Sequence, residues 1–141
     1  MSTSEREPSA EVFSGSKAEL KKHIFYNALG AAFLLVFGII YEAFGHGVYS
    51  AFMVFAFAVP LALGVLPYTA LLIAKKYPWR VFLNLWNSGI AALSVGSVFQ
   101  GVLEIYGTTN PLIIVYQVAG GLLLAAAVIS LFLRRKRCNN L

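Results

Sequence analysis

Charge is what this chain has least of. Asp, Glu, Lys and Arg make up 12% of its residues, about half the quarter that a soluble globular domain carries. With 59% hydrophobic residues, the surplus apolar surface must face something other than water, and a lipid bilayer is the simple partner. Four long apolar stretches hold no charge at all. Ion-coupled carriers place an ionisable group at mid-depth, so this lack argues against a carrier with a central carboxylate. The net charge of +5 is not a nucleic-acid footprint. The basic residues cluster at helix ends, and no polar segment is long enough to build a basic surface, so no nucleic acid is expected as a partner.

Cysteine is nearly absent too. The single Cys138 excludes an intrachain disulfide and a cysteine-based zinc site. A reduced thiol is the expectation, with palmitoylation as the alternative. Only two histidines are present, His23 and His46, at opposite ends of the first expected helix. They cannot grip one haem within a single chain. There is no Ser–His–acid set, phosphate loop or zinc spacing, and no cofactor is expected. A polar stretch containing Glu5, Glu7, Pro8 and Glu11 precedes the first apolar run, where a secretory signal would begin with a short basic region. Size, simplicity and the lack of organelle signals point to a multi-pass protein of a bacterial plasma membrane.

What is present is an alternation. Lys17, Lys21 and Lys22 precede the first apolar stretch, Lys75, Lys76 and Arg80 separate the second from the third, and Arg134, Arg135, Lys136 and Arg137 follow the fourth. The other two gaps contain no Lys or Arg. This is the positive-inside pattern of four spans with both termini in the cytoplasm. The fold class expected is an all-α membrane protein, a four-transmembrane-helix bundle. Residues of about 1–15 form a flexible cytoplasmic tail, about 16–134 the membrane domain, and about 134–141 a basic tail. Helices are expected over about 17–44, 48–74, 80–105 and 111–133. Ser16 and Glu19 fit a capping box for the first. Pro60 and Pro67 should kink the second. Asn110 and Pro111 fit the start of the fourth.

The halves resemble one another. Residues 37–45 read FGIIYEAFG and residues 99–107 read FQGVLEIYG, both Phe-x4-Glu-x-aromatic-Gly at the end of an odd-numbered helix. The fold is then two tandem helical hairpins in a parallel repeat. The alternative is a chance match between apolar helices that end in an aromatic residue and a glycine.

The matched Glu42 and Glu104 head a candidate extracytoplasmic polar site. His46 lies one turn beyond Glu42, on the same face if the helix continues. Tyr41, Tyr49, Tyr106 and Gln100 belong to the same level. Two carboxylates and an imidazole suit a divalent metal, a proton relay or a cationic ligand. Equally, Glu42, His46 and Glu104 suit a polar cap on helix ends at the water interface.

Small residues mark helix packing. Ser88, Ala92 and Gly96 recur every fourth residue, with Gly101 beyond them, and Gly121 and Ala125 do the same on the fourth helix. Such stripes let a neighbouring backbone approach closely, within the bundle or from a membrane-protein partner. A substrate path lined by Asn87, Ser94 and Gln100 is the alternative use of these polar positions. Three functions follow in order: a non-catalytic interaction or accessory subunit of a membrane complex; a small homo-oligomeric transporter or channel; and a metal-dependent membrane enzyme built on Glu42, His46 and Glu104.

Overall fold

The computed structural model describes residues 17–140; Ser16 of the expected capping box, and the expected N-terminal tail, lie outside the described residues. Within them the fold is all helical. The elements are α1 (Lys17–Phe44), α2 (Ala51–Val54), α3 (Ala58–Pro60), a π-helical segment (Leu61–Val65), α4 (Leu66–Ile73), α5 (Arg80–Ile105) and α6 (Ile113–Asn139). Three of them, α1, α5 and α6, are long and apolar enough to cross a membrane.

The expected second helix, 48–74, is not one helix. Proline cannot donate to the carbonyl four residues back and crowds the preceding turn. Pro60 ends α3, Pro67 stands in the first turn of α4, and the π-helical segment fills the interval between them. The start is also later than expected. Ser50 is extended and caps α2 with its hydroxyl, which accepts from the Met53 N–H at 3.4 Å, as short polar residues do at helix starts.

Two other ends shift. Asn110 Oδ1 accepts from Leu112 N–H at 3.0 Å in the turn before the helix, but α6 begins at Ile113 rather than 111, with Leu112 at its N-cap position and no side-chain cap. Its basic tetrad does not form a separate tail: Arg134 to Arg137 continue the helix to Asn139. Cations suit a helix C-terminus, where they oppose the dipole.

The helices alternate in direction, so one end of the molecule gathers the basic residues. There Arg80 donates to Glu19 Oε1 from Nε at 3.0 Å and from Nη2 at 2.6 Å, and the Arg134 guanidinium lies 4.2 Å from the Trp79 ring centre. The core also sits in this half: Leu20, Tyr68, Phe82, Leu83 and Ala127 cluster, drawing one or more residues from α1, α4, α5 and α6.

Glycines set how closely the helices approach. A Cβ on Gly89 would lie 3.0 Å from the Gly120 carbonyl oxygen, and one on Gly120 would lie 3.1 Å from that of Gly89, so α5 and α6 touch backbone to backbone. On α2, Met53 is gripped from both sides. A Cβ on Gly38 would meet its carbonyl oxygen at 3.2 Å, and one on Gly101 its backbone N at 2.9 Å.

These contacts revise the expected packing stripes. A Cβ on Gly96 would meet Tyr116, and one on Gly101 would meet Met53. Ala92 is half-buried and Ser88 is exposed. On α6 the seam runs through Ile113, Gly120 and Ala127, all buried, while Gly121 and Ala125 are exposed. Adjacent helical residues point about 100° apart, so a seam through Gly120 turns Gly121 outward.

Candidate functional site

Two groups of polar side chains are built by this fold, one at each end. At the end away from the basic residues, Glu104 is clamped. Its Oε2 accepts from Ser50 Oγ at 2.6 Å and its Oε1 from Gln100 Nε2 at 3.2 Å. Ser50 is buried, and the same hydroxyl caps α2, so Glu104 ties the end of α5 to the start of the second, broken segment. Tyr41 and Tyr106 line one small cavity at this end, together with His46.

The rest of the expected group does not join them in a metal site. His46 has φ of 54° and Gly47 φ of 90°: the chain turns off the helix axis after Phe44. His46 is exposed, and its Nδ1–H donates to the Phe44 carbonyl at 2.7 Å. It therefore does not continue the helical face of Glu42. Glu42 Oε1 is buried and has no hydrogen-bond partner among the described residues. Tyr49 points away, 76% exposed. Among the described residues no three His, Cys, Asp or Glu side chains are grouped to hold a metal ion. The two matched segments also end differently: Gly107 is left-handed, with φ of 67°, whereas Gly45 is not, and only Glu104 is clamped.

The second group lies toward the basic end, and of its members only Asn87 is a candidate on sequence grounds. No Cα of α1 comes within 8 Å of a Cα of α5; the broken segment stands behind them, and the two helices meet only through side chains. Asn27 Nδ2 donates to the His23 carbonyl at 2.8 Å and to Asn87 Oδ1 at 3.0 Å. Asn87 Nδ2 then lies 2.7 Å from His23 Nδ1. The roles follow in sequence. A backbone carbonyl only accepts, so Asn27 presents its NH2; Asn87 therefore turns its oxygen to Asn27 and its NH2 to His23. His23 Nδ1 must accept, which makes the imidazole neutral with its proton on Nε2.

Gly64, in the π-helical segment, makes room for this network. A Cβ there would collide with Asn27 Cγ and Oδ1. The His23 ring packs at 5.9 Å from that of Tyr68, itself fully buried. Above the network α1 and α5 leave an open cleft of about 570 Å³, floored by Pro60 and lined by Tyr26, Phe33, Asn84, Ser88 and Ser94 among others. Of the sequence-proposed path, Asn87 and Ser94 line this cleft, whereas Gln100 is held by Glu104. Nothing in the spacing advertises the network, because its partners are 60 and 64 residues apart.

A further cavity of about 610 Å³ lies at the basic end, beside Trp79, Arg134, Arg137 and Cys138. Cys138 is buried there rather than displayed. Comparison of the chain with protein-family models, with curated proteins and with solved structures finds no match.

Proposed function

We propose that this chain is a four-span plasma-membrane protein with both termini in the cytoplasm, and that it works by binding, as a non-catalytic interaction subunit of a membrane complex. The broken segment supplies the fourth crossing: it runs from Ala51 to Ile73, about 23 residues of helix-like rise, and a hydrocarbon core of roughly 30 Å needs about 20. Orientation rests on the basic residues gathered at one end.

The observation that carries the reading is the outward stripe on α6. The α6 backbone approaches no helix but α5. Gln117, Gly121 and Ala125, spaced by four, are all exposed, and nothing lies within 4 Å of a Cβ placed on Gly121. Helix association in lipid depends on close backbone approach and hydrogen bonding, which a glycine–alanine stripe with a flanking amide supports. The occupant that fits is a transmembrane helix of a partner protein.

The test is a tagged pull-down from native membranes in mild detergent, read by mass spectrometry, with wild type and Gly121→Leu side by side. A stoichiometric partner that is lost from the variant supports the reading. A lone monomer in both preparations overturns it. The cleft favours a second reading, a small homo-oligomeric transporter, because it sets neutral polar groups beside a π-helical break. Liposome flux that depends on Asn87 would favour that reading instead.

A further inference from the structure

The cleft between α1 and α5 has a chemistry of its own. None of its lining residues is Lys, Arg, Asp or Glu. Most of its polar groups gather toward the basic end: the imidazole of His23, the Tyr26 phenol, the carboxamides of Asn27, Asn84 and Asn87, and the Ser88 hydroxyl. The network uses His23 Nδ1 as an acceptor, so the remaining ring nitrogen, Nε2, carries a proton to donate. Asn84 and Ser88 hold no hydrogen bond to any described residue and are exposed in the cleft.

In the other direction the cleft runs on into a second cavity of about 230 Å³, lined by Phe37, Val98 and Phe99 together with Phe33, Leu34, Ser94 and Val95, which the two share. Apart from Ser94 that lining is wholly apolar. Ser94 stands at the junction. It is 8% exposed, and its Oγ is buried with no partner among the described residues. A buried hydroxyl is costly without a hydrogen bond. A serine on a helix can often donate to the carbonyl of a preceding turn; this one does not.

We propose that this groove binds a neutral, single-tailed lipid whose head carries carbonyl oxygens. The head takes hydrogen bonds from His23 Nε2–H, Asn84 and Ser88; an oxygen at the base of the head takes one from Ser94; and the tail runs along Phe37 and Phe99. Pockets of this kind, apolar with a few convergent polar groups, are the usual form of small-molecule sites. The lack of any charged lining residue disfavours phosphate and ammonium heads, whose desolvation would go unrepaid. The site is independent of the α6 stripe, which lies on another helix.

The experiment is equilibrium binding to the purified full chain in detergent, with two tritiated probes: a decyl-tailed benzoquinone and a monoacylglycerol. Gly30 lines the cleft with nothing within 4 Å of its Cβ position, so Gly30→Leu projects a side chain into the groove. Ala32, also on α1, is exposed and lines neither cavity, so Ala32→Leu is the control. The expected result is saturable binding of one probe or both, abolished by Gly30→Leu, weakened roughly fivefold by Ser94→Ala, and unchanged by Ala32→Leu. Binding of the quinone alone assigns a ring head, and of the monoacylglycerol alone an ester head. No saturable binding of either probe overturns the proposal. So does binding that survives Gly30→Leu, equal competition by phosphatidylglycerol, or a protein partner displaced by Gly30→Leu.

Discussion

The indole of Trp86 donates from Nε1 to the carbonyl of Leu63 at 2.6 Å. Leu63 is four residues before Pro67, so this is the carbonyl that Pro67, lacking an N–H, leaves without its ordinary α-helical donor. A side chain on α5 thus serves the backbone of the broken segment where it is broken. In lipid, where no water replaces a missing donor, such freed carbonyls need service from neighbouring helices.

Replacing Trp86 by Phe removes that donor while keeping an aromatic ring. The expected cost is about 1–2 kcal/mol of stability, read by unfolding in mixed detergent–SDS. In a Pro67→Ala background the main chain regains its N–H. The cost of Trp86→Phe should then shrink, and a double-mutant cycle measures the difference. Equal costs in both backgrounds would contradict the pairing.

The His23–Asn87–Asn27 network predicts a tautomer. Nitrogen-15 spectra of labelled protein should show His23 neutral with its proton on Nε2, and Asn87→Ala should abolish the preference. Each lost bond should cost about 1 kcal/mol, in line with interhelical hydrogen bonds in membranes. A His23 proton resident on Nδ1 would show the network drawn the wrong way round.

Glycine substitutions should divide by what their Cβ meets. At Gly101 the obstacle is the Met53 backbone at 2.9 Å, which has nowhere to go, and Ala there should cost about 1–3 kcal/mol, the usual range for overpacking. At Gly64 the obstacle is the Asn27 side chain. It can swing aside only by giving up Asn87, so Gly64→Ala should also erase the His23 tautomer signature. At Gly121 the space is open, and Ala should be neutral or slightly stabilising in the isolated protein. Thermal unfolding of the three variants in one detergent checks the order.

The two matched glutamates should behave differently. Glu104→Ala strips Ser50 of its acceptor and loosens the α2 cap, at a cost of about 1–2 kcal/mol. Glu42→Ala removes a carboxylate with one oxygen buried and unpartnered, and should cost less or stabilise. Equal losses would speak for two equivalent halves, against the unequal ends seen here.

Much of this architecture was legible in residue order. Apolar run length predicts helices over about 17–44 and 80–105, and the structure has helices at Lys17–Phe44 and Arg80–Ile105. Pro60 and Pro67 predict an irregular second segment, though not the π-helical turn at Leu61–Val65 between them. The site was less legible. Glu42 and His46 sit at helical spacing, but the turn at His46 and Gly47 ends that helix. Asn87 reads as one residue of a polar path and Asn27 carries no spacing signal, and their meeting with His23 depends on the docking of two helices. The doublet Gly120–Gly121 gave no means to choose which glycine faces inward, since either offers the same small surface.

The proposed topology has four crossings, with the broken segment as one of them. The direct measurement is cysteine accessibility in a Cys138→Ser background, with single cysteines at Tyr49, Lys76 and Thr109 and a membrane-impermeant maleimide added to intact cells. The account predicts labelling at Tyr49 and Thr109 from outside, and at Lys76 only after the membrane is opened. Labelling of all three from outside, or of Tyr49 and Thr109 from opposite sides, would contradict it.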